Sequence, residues 1–190
     1  EIADFIKNNN LVKSNEKWGK ESEARSLASM IALRKAMNTY PIKNAVSFHS
    51  SIERAIRNKD VNDEITNSYN YKAIETYHVS GKDQTSKRES IIQEFANSKR
   101  SLITNSRCLT EGVDVPNIDC ILFADPRRSK VDIIQALGRA LRKKEGKKWG
   151  YIILPIVIDN NSMEPDNDQF KDILNIVSAL AASDERIIEY

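Results

Sequence analysis

The chain has 190 residues, of which 40% are apolar, enough for one domain with its own core, and its formal net charge is +2. No apolar run is long enough to cross a bilayer and no signal-peptide pattern opens the chain, so membrane partners are not expected. Cys108 and Cys120 stand far apart without a CxxC pattern, which argues against a disulfide or zinc site, makes no metal ligand set expected, and leaves a reducing cytoplasm as the default location.

In chain order, residues from about Ser22 to Tyr40 place Leu27, Met30, Ile31, Leu33 and Met37 at helical spacing, and Pro41 ends the run. Asn44 to His49 reads as a short strand. Ser50 or Ser51 is suited to cap a helix that starts at Ile52. Residues Asn58 to Tyr71 are polar and irregular. Ile74 to Val79 reads as a second strand, closed by Ser80-Gly81. Thr85 is placed to cap a helix that carries Ile91, Ile92 and Phe95 on one side. Ser101 to Thr104 and Cys120 to Ala124 are a third and fourth strand, and Val131 to Leu141 is a helix with an apolar face. Tyr151 to Ile158 is a fifth strand whose Pro155 favours a sheet edge or the end of the run. Phe170 to Leu180 is a closing amphipathic helix, followed by a further helical tail.

Short apolar strands separated by helices predict a parallel α/β sheet covered on both faces. Ligands in such sheets bind beyond the carboxyl ends of the strands, where Ser80, Thr104 and Asp125 fall.

Charge is unevenly spread. Arg127 to Lys148 holds nine basic residues against Asp132 and Glu145, whereas Asp159 to Tyr190 holds eight acidic residues against Lys171 and Arg186. The basic stretch suits a face that meets polyanions, and its lysine-rich end, Lys143 to Lys148, equally suits a solvated turn.

Two segments carry chemistry. Gln135-Ala-Leu-Gly-Arg-Ala-Leu-Arg142 puts Arg139 and Arg142 three positions apart, on one face of a helix. Gly138, just before the first, lets another surface approach closely. Two permanently charged planar forks aimed together suit a phosphate whose charge grows during transfer. The second segment, Thr104 to Pro116, ends in a glycine turn at Gly112 that delivers the carboxylate of Asp114.

These segments resemble motifs VI and V of the second RecA-like domain of superfamily 2 helicases and translocases. Val46 to Ser51 resembles motif IV of that family, and His78-Val-Ser-Gly81 with Arg88 to Phe95 resembles the strand and helix that follow it. The resemblance runs in order over most of the chain but leaves residues 1–43 and about 160–190 without a motif. The long motif V, with Leu109-Thr-Glu111 before the glycine, looks more like the restriction-enzyme and Swi/Snf-like side of the superfamily than the DEAD-box side.

The resemblance implies a RecA-like core over residues 44–160, with a mostly parallel sheet of five to six strands and helices on both faces. Residues 1–43 would then be a helical lead from a P-loop domain, and residues 161–190 an acidic helical extension. It implies that Arg139 and Arg142 contact the γ-phosphate of ATP, either acting as an arginine finger, with Gln135 one turn earlier reaching the same phosphates or the attacking water. The family often has a histidine or arginine beside Gln135; here Ala136 stands there. Glu111, Gly112, Asp114 and Gly138 would line the nucleotide cleft. Thr104, Arg107, Ser47, His49, Ser50, Ser80 and Gly81 would meet the backbone of a nucleic acid, DNA or RNA with DNA favoured, a contact that needs no base identity. For His49 a plain hydrogen-bonded place at a strand end is an equal reading. Asp125, Arg127 and Arg128 would be interface or cleft residues.

The chain contains no GxxxxGK[ST] and no DExH or DEAD box. ATP and Mg2+ are therefore expected to be held mainly by another RecA-like domain of the same parent chain, and this piece alone is expected to be inactive. Two other readings stand beside the helicase motor: the translocase motor of a restriction-modification enzyme, and a non-catalytic nucleic-acid-binding or scaffold module.

Overall fold

The computed structural model describes residues 21–68, 72–106, 109, 115, 118–126, 129–140, 149–155 and 171–183. Its elements in chain order are α1 (Glu21–Thr39), β1 (Asn44–Phe48), α2 (Ile52–Ser68), β2 (Glu75–His78), α3 (Thr85–Asn97), β3 (Ser101–Asn105), β4 (Cys120–Phe123), α4 (Lys130–Ala140), β5 (Tyr151–Ile153) and α5 (Lys171–Ser183). The five strands form one sheet in the order β2-β3-β1-β4-β5, and every pairing is parallel. This is a RecA-like α/β architecture, as expected.

Side chains alternate across each strand, so the sheet feeds two cores. Val46, Phe48, Ile103, Ile121 and Phe123 point to one face, where they meet Ile92 and Phe95 of α3, Ile133 and Leu137 of α4, and Ile173 of α5. Phe48 and Phe123 stack there with ring centroids 5.8 Å apart. Ala45, Leu102, Cys120 and Leu122 point to the other face, against Leu27, Met30, Ile31, Leu33 and Met37 of α1 and Val61 and Ile65 of α2. Burial pushes the Cys120 thiol well above its ordinary range, so it stays a protonated, inert filler of this core.

Several boundaries differ from the sequence reading for identifiable reasons. Helix α2 continues through the polar stretch that starts at Asn58, because two of its inward positions are the buried asparagines Asn58 and Asn62. An amide on the inner face hides the apolar period while the helix itself persists. Ser51 caps α2, its Oγ accepting from the Arg54 amide at 3.2 Å. Thr85 is instead the first residue of α3, and the residue before it, Gln84, makes no side-chain cap. Strand β5 ends at Ile153, two residues before Pro155, and lies at the sheet edge; residues 156–158 of the expected strand lie outside the described residues. Helix α5 runs from Lys171, matching the expected closing helix.

The second core is pinned by a wholly buried arginine. Arg34 of α1 donates from Nη2 to Asn62 O (2.9 Å), Asn62 Oδ1 (2.7 Å) and Thr66 Oγ1 (2.5 Å) of α2, and from Nη1 to Lys72 O (3.1 Å). Asn62 passes the network on, donating from Nδ2 to Thr76 Oγ1 of β2 at 2.5 Å. Helix α1 is thus tied to α2 and β2 by polar bonds in a site without water access, where each lost partner leaves an unsatisfied oxygen. Arg34→Ala is expected to lower the unfolding free energy by about 3 kcal/mol or more, read as a shift in the urea midpoint. A midpoint unchanged within error would show that the network contributes nothing net.

Candidate functional site

Helix α2 leaves β1 onto the second face, whereas β2 and β4 lead into α3 and α4 on the first. Where connections diverge in this way a crevice opens at the carboxyl end of the central strand. The end of β1 and its neighbours carry a row of polar side chains on the second face. Ser47 is in register with Thr104, and Thr104 with His78. Ser47, His49 and Thr104 are buried. Ser47 Oγ pairs with His49 Nε2 at 2.9 Å, and Thr104 Oγ1 pairs with His78 Nδ1 at 3.0 Å and donates to Tyr77 O at 3.4 Å. Asn105 Nδ2 donates to Ser47 O at 3.1 Å, and the His49 amide donates to Asn105 O at 2.9 Å, so the ends of β1 and β3 are stitched together past the last strand residues.

Beside this row lies an ion pair at the point where β4 leaves the sheet. Asp125 is buried and its Oδ2 accepts from the Ser50 amide (2.9 Å), Ser50 Oγ (3.1 Å) and Arg54 Nε (2.7 Å), while Oδ1 accepts from Arg54 Nη2. His49 Nδ1 stands 3.9 Å from the same carboxylate. Burial acts to raise the Asp125 pKa, but the hydrogen bonds from Arg54 and Ser50 and the nearby positive charge outweigh it and hold the carboxyl below its ordinary range. The hydrogen bond to Asp125 in turn raises the Arg54 pKa. The next loop is braced in the same manner: the Ser80 amide and hydroxyl donate to Asp83 Oδ2 at 2.7 and 3.1 Å, and the Ser80 amide bond holds the Asp83 pKa down. Gly81 and Ser50 are exposed at the tips of these two loops.

The structure therefore gathers Ser47, His49, Ser50 and Thr104 at one edge, with Ser80 and Gly81 on the adjoining loop. Ser47, His49 and Thr104 sit beneath that surface, and their hydrogen bonds run to neighbouring strands and loops. The candidates on α4 lie elsewhere. Helix α4 starts at the carboxyl edge and runs back along the sheet, so Arg139 in its last turn stands about 13 Å down the helix from Lys130. Gln135 and Gly138 are exposed on α4, near the exposed Val131 and Ile134, and Arg139 is half-buried. A Cβ built on Gly138 meets nothing within 4 Å, so its own fold does not require glycine there. Arg107, Glu111, Gly112, Asp114 and Arg142 lie outside the described residues.

Sequence reasoning overlooked Arg54. It sits on the first turn of an ordinary polar helix, and its carboxylate partner is 71 residues away, so only the fold reveals the pair.

The chain matches the "Helicase conserved C-terminal domain" family over residues 28–144. It belongs to that family. In Schizosaccharomyces pombe, the "Putative mitochondrial ATP-dependent helicase irc3" is 31% identical over 161 residues, covering 77% of this chain and 27% of that protein. The "ATP-dependent Type ISP restriction-modification enzyme LlaBIII bound to DNA" superposes with a TM-score of 0.77 at 27% identity, over 98% of this chain and 13% of that one. The C-terminal domain of the DEAD-box protein Dbp5 superposes at 0.53 with 20% identity over 82% of this chain and 77% of that one, a likeness of fold. The helicase C-terminal domain thus spans a small part of the longer proteins it matches. No helix among the described residues is long and apolar enough to cross a membrane.

One group in the polar row has a readable pH signature. Burial lowers the His78 pKa below its ordinary 6.5, outweighing the opposing pull of Asp83. On acidification the unfolded chain therefore takes up the proton before the folded one. The stability this group contributes is complete above about pH 6.5 and is lost as pH falls from there toward the folded value. The thermal midpoint is expected to fall between pH 7.5 and 5, and His78→Gln to flatten that slope; parallel slopes in the two proteins would remove His78 as its source.

Proposed function

We propose that this domain is the second motor half of an ATP-dependent helicase or translocase of superfamily 2. The observation that carries this reading is the outward face of α4. Within the helicase C-terminal match, the helix of the QxxGRxxR pattern leaves Gln135 and Gly138 exposed beside Val131 and Ile134, with Arg139 at its end. Amide and guanidinium donors beside a bare glycine suit phosphate oxygens presented by a second surface.

In this reading a P-loop domain of the same parent chain holds ATP and Mg2+; residues 1–43 connect to it through α1, which packs on this sheet, and α5 of the acidic stretch 161–190 packs on the opposite face. Arg139 and Arg142 reach the γ-phosphate and neutralise charge that develops there, and Gln135 orients the same phosphates or the attacking water. Glu111, Gly112, Asp114 and Gly138 complete the cleft wall. Binding of one nucleotide by both domains favours the closed arrangement, and its hydrolysis removes that preference.

The carboxyl edge grips a nucleic-acid backbone. Ser50 and Gly81 offer exposed strand-end groups, Ser80 lies beside Gly81, and Arg107 joins them in this reading through the motif V resemblance. Ser47, His49 and Thr104 hold those loops from beneath in the state described. Phosphate contact of this kind carries no sequence preference.

DNA translocation in the manner of a restriction-modification motor is the favoured variant. It is supported by the long motif V and by the likeness to the Type ISP enzyme over nearly the whole chain at 27% identity. A non-catalytic nucleic-acid-binding module is the rival from a different class.

The decisive measurement is ATP turnover by the complete parent protein with and without DNA or RNA. Arg142→Ala and Arg139→Ala are expected to leave nucleotide binding in place while at least one lowers turnover by roughly three to five orders of magnitude. The isolated domain is expected to show no hydrolysis. Unchanged turnover in both variants would remove the finger assignment, and a parent protein without ATPase activity would favour the non-catalytic module.

A further inference from the structure

We propose that Arg54 and Asp125 form a positioning clamp that sets the Ser50 loop for contact with a nucleic-acid phosphate and ties that loop to the connector entering α4. This inference rests on the motor reading and names residues that reading does not use.

The geometry is unusually complete for one carboxylate. Asp125 follows β4, and its backbone amide donates to Phe48 O at 3.4 Å, so the residue is seated between the ends of two paired strands. One of its oxygens then takes both the amide and the hydroxyl of Ser50. Arg54, one turn into α2, approaches with Nε and Nη2 on the two oxygens in a fork-to-fork arrangement. The Asp125 side chain is 5% exposed and the Arg54 side chain 34%, so the pair is shielded on the carboxylate side and partly open to solvent on the arginine side. A lone surface ion pair does little. This one differs because Asp125 also holds a loop amide that otherwise has no fixed direction.

Two consequences follow. Ser50 keeps its backbone and hydroxyl facing one way only while Asp125 is held by Arg54; without the guanidinium, the carboxylate is free to turn toward water. Asp125 also lies five residues before Lys130, the start of α4. Displacement of the Ser50 loop by a bound backbone therefore pulls on the segment that leads to Gln135 and Arg139. The clamp is a physical link between the edge assigned to nucleic acid and the helix assigned to nucleotide.

The test uses the complete protein that contains this chain, in wild-type, Arg54→Gln, Arg54→Lys and Asp125→Asn forms, with thermal melts to verify folding. ATP turnover is titrated with single- and double-stranded DNA and, separately, RNA oligonucleotides of mixed sequence. Hydrogen exchange reports the amides of Ser50 and Ser51. Arg54→Gln is expected to keep turnover without nucleic acid within about twofold of wild type, to raise the half-activating concentration by about tenfold, and to speed exchange at Ser50. Arg54→Lys, which keeps the charge but not the fork, is expected to recover part of the loss. Asp125→Asn is expected to weaken activation at least as much.

Wild-type activation with an unchanged half-activating concentration in a folded Arg54→Gln protein overturns the clamp alone. Equal losses with and without nucleic acid would do so too, because they would mark a general structural role. If Arg54→Gln fails to fold, Arg54→Lys decides: wild-type exchange at Ser50 and wild-type activation overturn the proposal, and faster exchange with weakened activation supports it. A wild-type protein whose turnover no nucleic acid changes overturns the motor reading and this inference with it. The class of oligonucleotide that activates identifies whose phosphates the edge receives.

Discussion

The structure depends on the burial of β1 between two parallel neighbours. A strand paired on both sides and covered on both faces has every backbone group committed, and its five residues are all buried. Past the carboxyl end the first residue exposed to solvent is therefore Ser50, where the ladder has run out. The neighbouring strands end at the same level, so Thr104 and Asp125 arrive beside them through register alone.

The polar seam on the second face is the cost of that arrangement and the source of its specificity. A hydrophobic row at Ser47, Thr104 and His78 would pack as well, yet the chain places two hydroxyls and an imidazole there and bonds them across strands. Farther along the same face, Arg34, Asn62 and Thr76 repeat the pattern between α1, α2 and β2. Buried polar groups tolerate few alternative packings, since a shift of one turn or one residue leaves donors and acceptors unmatched. Helix α2 is consequently held in one register over the sheet, and Ser50 and Arg54 at its start are held with it.

In the motor reading proposed above, function is divided between this edge and α4. The edge is stitched by short-range hydrogen bonds and a buried carboxylate, which suits rigid backbone contact. Helix α4 packs Ile133, Ala136 and Leu137 inward and leaves Gln135 and Gly138 outward, which suits contact with a surface beyond this domain. Both belong to one helicase C-terminal domain, and the segment from Asp125 to Lys130 is the shortest covalent route between them. The proposed motor needs its two grips to be separate and connected, and the parallel βα unit is compatible with both conditions.

Much of this was legible from the sequence, because apolar periodicity and local motif spacing survive without coordinates. The five short runs became five parallel strands, residues 135–140 of the QxxGRxxR segment fell on a helix with an inward apolar face, and Ser51 capped α2 as its position suggested. Asn58 and Asn62 defeated the same reasoning, since an inward amide is indistinguishable from a solvated one along the chain, and the Asn62 partners Arg34 and Thr76 come from other elements. The sequence alone also could not show that Thr104 and Ser47 are buried rather than presented, because strand direction does not reveal which face a helix covers. Nor could it pair Arg54 with Asp125. By itself the sequence determined most of the elements and the α/β class they build; the tertiary structure alone decided which distant polar groups share a site, because a hydrogen bond depends on separation in space and leaves no periodic trace along the chain.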